Sequence, residues 1–202
     1  MNYLIKNVLS KQELEKTFDF FKMIFIGMPV VDNPEYSLEK WEERMKNHSD
    51  LMLYASLDSE IIGIVFGKIN DNYSITIGPV AVHENYRGVG IAKKMILMLE
   101  ERANHYDIHS ISLGAVESAE RFYSKLGYTG SLLIQSQIHS IEQLLSLNNK
   151  YMVEFTNIYH GKVSQVCLEL TKPDRDLQKE YEATFPGCYT QMMYWKNIKT
   201  IS

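Results

Sequence analysis

Near the start of the chain, apolar side chains recur every three to four residues. Leu14, Phe18, Phe21 and Phe25 follow Ser10-Lys11-Gln12-Glu13, which reads as a capping box. The pattern predicts a helix over residues 10–26, preceded by a first strand in "NYLIKNV". Leu38, Trp41 and Met45 share one face of a second helix, from about Ser37 to His48. Between the two, "GMPVVDNPEYS" reads as a loop, with Gly27, Pro29 and Pro34 as breakers. The period then drops to that of strands. "DLMLYASL", "EIIGIVFGKI" and "YSITIGPVAVH" are β-rich, and the turns at Asp58-Ser59 and Asn70-Asp71-Asn72 are short enough to predict an antiparallel meander. Helical spacing returns from about Gly90 to His105, and Met95, Met98 and Leu99 are its expected core positions. "DIHSISLGAV" is a fifth strand. "ESAERFYSKLG" then puts Ala119, Phe122, Tyr123 and Leu126 on one helical stripe, with Gly127 closing the helix.

From Tyr128 onward the elements are shorter. "YTGSLLIQSQI" is a strand, "SIEQLLSLNN" a short helix, and "YMVEFTNIY" and "VSQVCLEL" flank a hairpin turn at His160-Gly161-Lys162. "PDRDLQKEYEATF" places Leu177, Tyr181 and Phe185 along a helix face, and "CYTQMMYWKNI" is the last strand. That order is βαββαβ, the ferredoxin-like pattern. A competing arrangement gives the last strand to the main sheet and makes residues 139–186 an insertion. The expected organisation is α/β (α+β): a core over residues 1–130 and a C-terminal α/β extension over 131–202, with no internal repeat and no low-complexity tract.

With 202 residues and 45% hydrophobic content, the chain supplies the core of one domain or of a domain with an appendage. A net charge of −4 argues against nucleic acid as partner, since phosphate backbones are bound by clustered Lys and Arg. "MNYLIKNVL" is too short and polar for a signal peptide, and no apolar run approaches the roughly 20 residues of a membrane helix. The expected location is cytoplasmic, with no membrane partner. Cys167 and Cys188 have neither metal nor redox spacing, so no metal site is expected. They read as small buried side chains in a reducing compartment, with a disulfide left open.

One junction does not fit plain packing. Where "VAVHENY" hands over from strand to helix, Arg87-Gly88-Val89-Gly90-Ile91-Ala92 places glycines at the helix start. A helix N-terminus carries unpaired N–H groups and partial positive charge, and glycine lets a phosphate approach the backbone. The stretch therefore reads as a diphosphate cradle, against the plainer reading of a tight turn. A dinucleotide fingerprint is excluded, because Lys93 stands where its third glycine belongs, and a P-loop is excluded by the absence of Gly-Lys-Ser/Thr.

Arg87, Gly90 and Ala92, following Val80-Ala81-Val82, resemble the acetyl-coenzyme A signature Arg/Gln-x-x-Gly-x-Gly/Ala of the GNAT N-acetyltransferase superfamily. "Ala119-Glu120-Arg121-Phe122-Tyr123-Ser124-Lys125-Leu126-Gly127-Tyr128" resembles that family's second common element, Ala-x-x-Phe-Tyr-x-Lys-x-Gly-Phe/Tyr. The resemblance covers roughly residues 1–130. It implies the GNAT acyl-CoA N-acyltransferase fold, a central mixed sheet in which parallel strands four and five splay apart. It implies a pantetheine arm bonded to the backbone of Val80, Ala81 and Val82 like an added strand, and a diphosphate on the amides of Gly88, Val89, Gly90, Ile91 and Ala92. Two positions depart from the pattern. Glu84 stands where proline is frequent, and Val116 where many members carry an asparagine that holds the cofactor arm, a role left to Ser118.

The implied activity is acetyl-CoA-dependent transfer of an acetyl group to the primary amine of a small molecule or peptide, with Tyr123 as general acid. Periodicity alone makes Tyr123 a core residue. An amine like that of lysine has a pKa near 10.4, so a base helps; His83, Glu84 and a water chain remain open for that role. The alternatives are a non-catalytic acyl-CoA-binding or sensing module, and a homodimer paired through the C-terminal strands.

Overall fold

The computed structural model describes residues 2–70, 73–159 and 161–198, so Asp71, Asn72 and His160 of the two expected turns lie outside the described residues. The chain divides into two compact units: Met1–Ile111 with Asn197–Ser202, and Ser112–Lys196.

In the first unit, four strands form an antiparallel run in the order β1 (Leu4–Asn7), β2 (Met52–Leu57), β3 (Glu60–Asn70) and β4 (Ser74–Val82). β3 is apolar on both faces because both are covered. On one side, α1 (Lys11–Ile24) and α2 (Leu38–His48) close over Ile64, Phe66 and Tyr54, with Trp41 at 0% exposure among Phe18, Phe21 and Phe66. On the other, α3 (Ile91–Ala103) buries Ile91, Met95, Ile96 and Leu99. Met95 and Leu99 approach β3 so closely that a Cβ on Gly63 or Gly67 would lie 3.1 Å from them. Met98, an expected core position, is only half-buried. The loop after α1 is wound into two short 3₁₀ turns, Pro29–Asp32 and Pro34–Tyr36, each opened by a proline.

β4 does not run in register throughout. Val80 pairs with Val65 and Ile77 with Gly67, so β4 holds one residue more than β3 across that step, a bulge at Gly78-Pro79.

In the second unit the strand order is β5 (Ser110–Gly114), β9 (Cys188–Asn197), β6 (Thr129–Ser136), β8 (Val163–Glu169) and β7 (Val153–Tyr159), β5 itself beginning in the first unit. β9 to β7 are antiparallel neighbours, the order that a βαββαβ chain produces. β9 also borders β5. α4 (Glu117–Lys125), α5 (Ile141–Leu145) and α6 (Arg175–Thr184) complete this unit. Tyr181 of α6 is buried and donates to Leu144 O (3.0 Å). Both cysteines are free thiols, Cys167 buried and Cys188 half-buried. No described helix is long and apolar enough to cross a membrane.

The start of α1 forms the capping box expected of Ser10 and Glu13: Ser10 Oγ accepts from Glu13 N (3.3 Å) and Glu13 Oε2 from Ser10 N (3.0 Å). Glu13 Oε1 also accepts from the Tyr54 hydroxyl (2.7 Å), tying α1 to β2. Ser10→Ala is expected to cost about 1 kcal/mol in urea unfolding. Glu13→Ala should cost more, about 2 kcal/mol, because it also strips Tyr54 of its partner. Equal losses would show that the bond to Tyr54 contributes nothing.

Candidate active site

β4 pairs with β3 through Val80, Ala81 and Val82, opposite Val65, Ile64 and Gly63. The ladder ends where His83 N donates to Ile62 O (2.9 Å), and a 3₁₀ turn over Glu84–Tyr86 swings the chain toward α3. Arg87 folds back on the strand it follows, its Nε donating to Val82 O (3.0 Å). Gly88 (φ 80°) and Gly90 (φ 88°) are both left-handed, a conformation that glycine enters without steric cost. A Cβ at either position would meet nothing within 4 Å, so glycine is required by the backbone turn while the space above it stays open.

Gly90 is the N-cap of α3 and supplies no side-chain cap. Lys94 N, bonded to Gly90 O (3.0 Å), is the first amide to close onto the helix. The amides of Ile91, Ala92 and Lys93 are therefore unpaired by it. The first turn holds no acidic residue, only Lys93 and Lys94. Helix starts favour an oxygen cap or a carboxylate; one with neither, followed by two cations, is suited to an anion brought from outside. Ile91 turns inward to the core, Ala92 is half-buried, and Val89 is exposed.

His83 has a local job: its Nδ1 accepts from Asn85 N (3.3 Å). It also lines an open cleft of about 580 Å³ with Lys16, Asp19 and Phe20 of α1 and with Glu60. Glu84 is exposed at the head of the 3₁₀ turn. Neither makes a contact that singles it out as a base.

In the second unit, Tyr123 sits on the buried face of α4 at 5% exposure. Its ring packs against Phe122, Tyr128 and Tyr194 at centroid distances of 5.1, 6.1 and 6.0 Å. No described residue bonds its hydroxyl, and burial pushes its pKa up to about 12. One turn earlier, Glu120 pairs with Arg175 of α6, whose Nη1 donates to Gln178 Oε1 (2.6 Å). Burial raises the Glu120 pKa, and Arg175 opposes it. Arg175 Nε and the Tyr194 hydroxyl are buried without a partner among the described residues. This cluster was not legible in the sequence, because Glu120 and Arg175 lie 55 positions apart with no shared motif. Ser118 is exposed in the first turn of α4, whose N-cap, Val116, offers no side-chain bond.

The acetyltransferase (GNAT) family model matches residues 14–128. An uncharacterised N-acetyltransferase of Pyropia yezoensis is 28% identical over 94 residues, 45% of this chain and 54% of the relative. An uncharacterised protein of Saccharomyces cerevisiae is 32% identical over 96 residues, 44% of this chain and 23% of the relative. The chain thus spans about half the length of the first relative and less than a quarter of the second. Among solved structures, an acetyltransferase of the GNAT family from Staphylococcus aureus superposes with a TM-score of 0.60 at 19% identity, covering 98% of this chain and 100% of that one. The ribosomal-protein-S18-alanine N-acetyltransferase of Escherichia coli gives 0.56 at 9% identity over 100% and 97%. The N-acetylglutamate synthase of Neisseria gonorrhoeae, complexed with coenzyme A and N-acetyl-glutamate, gives 0.53 at 10% identity over 99% of this chain and 36% of that one. The mixed α/β fold is the one these N-acetyltransferases share.

Burial raises Tyr54, Tyr106, Tyr123, Tyr181 and Tyr194 to about 12 among the chain's 13 tyrosines. A phenol whose folded pKa lies above its unfolded value stabilises the fold in full below about pH 10 and loses that contribution as pH rises through about 12. In a spectrophotometric titration of the native protein, Tyr123→Phe should remove roughly a fifth of the late-ionising absorbance. A loss from the early phase instead would place the Tyr123 hydroxyl in water.

Proposed function

We propose, from the premise that this chain belongs to the acetyltransferase (GNAT) family, that it is an acetyl-CoA-dependent N-acetyltransferase acting on a primary amine of a small molecule or peptide. The observation that carries the reading is the junction from β4 to α3. Two left-handed glycines face open space there, beside a helix end with neither side-chain cap nor acidic residue. Those features fit a diphosphate. The amides of Gly88, Val89, Gly90, Ile91 and Ala92 would hold it, and the backbone of Val80, Ala81 and Val82 would hold the pantetheine arm as an added strand. Ser118 would take the polar contact that Val116 does not offer. When bound, acetyl-CoA supplies an activated acyl thioester.

The chain's own residues do the rest. Arg87, tied to Val82 O, fixes the end of β4 against the turn, so the strand and the amide cradle keep one spacing. Tyr123 stays protonated at every physiological pH, because burial alone sets its pKa near 12. It is therefore a dependable donor to a sulfur that takes on charge. Complete proton transfer to a thiolate of pKa about 8.5 would be uphill by about 5 kcal/mol, so Tyr123 acts by a hydrogen bond that strengthens as charge develops. Relatives with coenzyme A in their crystal structures, such as the Neisseria gonorrhoeae synthase, support the choice of cofactor class.

Gly90→Val should weaken acetyl-CoA binding in calorimetry at least tenfold, by placing a branched side chain over the cradle and straining a left-handed position by about 1–3 kcal/mol. An unchanged dissociation constant would move the diphosphate elsewhere. Tyr123→Phe keeps the ring and should lower kcat at least tenfold with acetyl-CoA affinity nearly unchanged. If kcat stays within about twofold while chemistry limits the rate, Tyr123 is a packing residue and solvent protonates the leaving thiolate.

A further inference from the structure

The loop between α1 and α2 ends on Tyr36, and Tyr36 is held in one place. Its ring stacks on Phe21 with centroids 5.7 Å apart and planes 16° from parallel. The preceding residue, Glu35, is pinned by Lys68 Nζ of β3 (2.7 Å) and by Arg44 Nη2 of α2, which reaches both its carboxylate (3.1 Å) and its backbone carbonyl (2.8 Å). The following residue, Ser37, caps α2 by accepting from Lys40 N (3.3 Å). Thus anchored, the Tyr36 hydroxyl reaches the bulge of β4: a Cβ on Gly78 would lie only 2.7 Å from it. No described residue bonds that hydroxyl. Gly78 leaves the tyrosine the space that a side chain would fill.

The position has a meaning along β4. With the diphosphate at the start of α3 and the arm alongside Val82 to Val80, the arm runs back toward the beginning of β4. Beyond Val80 come Pro79 and Gly78, so the acyl end faces the bulge, where Tyr36 stands. An apolar chain with room to grow would bind more tightly by about fourfold for each added CH₂. A rigid ring at its end denies that room.

Resting on the acyl-CoA reading above, we propose that Tyr36 is the end wall of the acyl site and restricts this protein to short acyl groups, acetyl above butyryl.

The test is a set of dissociation constants for coenzyme A, acetyl-CoA and butyryl-CoA, measured by calorimetry on the wild-type chain, Tyr36→Ala and Tyr36→Leu. The leucine keeps apolar bulk against Phe21 and stops short of β4, so it reports even if the alanine variant folds poorly. The wild type should bind acetyl-CoA at least tenfold more tightly than butyryl-CoA. Both variants should shrink or invert that ratio by at least tenfold while coenzyme A affinity stays within about twofold. The same ratio in wild type and variants, with coenzyme A still bound, would overturn the role of Tyr36 alone. A wild type that binds no coenzyme A would overturn the acyl-CoA reading and this proposal with it.

Discussion

The backbone passes from β4 into α3 through Gly88 and Gly90, two left-handed residues three positions apart from the buried anchor Ile91 at most. That turn sets the rest of the first unit. It lets the helix begin directly after the strand's short 3₁₀ turn, with its first amides unpaired. It also aims α3 back along β3, where Met95 and Leu99 settle over Gly63 and Gly67. A residue with a Cβ would find space at Gly90 but would strain its left-handed backbone, so the same glycine serves both the packing direction of the helix and the openness of its end.

Polar residues hold the remaining pieces by side-chain bonds across long stretches of sequence. Glu13 joins the start of α1 to Tyr54 of β2, Asp50 accepts the Tyr106 hydroxyl (2.8 Å) while its carbonyl accepts from Arg102 (2.6 Å), and Glu35 gathers Lys68 and Arg44. Each carboxylate sits beside a helix or loop end, so the ends are fixed while the faces are left to apolar contact. In the second unit, Glu120 and Arg175 play the same part between α4 and α6.

The elements that were legible in the sequence are those specified by neighbouring residues. Ser10 and Glu13 announced a capping box because both of its bonds span three positions, and the glycine turn into α3 was legible because all its residues lie between Arg87 and Ala92. The unread parts depend on distance. Nothing around Tyr36 says that its hydroxyl will meet Gly78, since that contact is made only once α1, α2 and β4 have packed. The helix expected over residues 140–149 stops at Leu145 because Asn148 captures the backbone: its Oδ1 accepts from Tyr151 N (3.0 Å) and its amide donates to Tyr151 O (2.7 Å). The prolines of the loop before α2 wind it into 3₁₀ turns, whose three-residue bonds leave no apolar period to detect.

The two tryptophans fall one to each unit, and in unlike surroundings. Trp41 is sealed among phenylalanine rings with its indole N–H unpartnered among the described residues, whereas Trp195 is half-buried and donates to Ser131 Oγ (2.9 Å). Their fluorescence therefore reports two places: the aromatic core under α1 and α2, and the sheet of the C-terminal unit. With each indole replaced in turn by phenylalanine, comparing the unfolding seen by the two remaining emissions tells which half of the chain comes apart first.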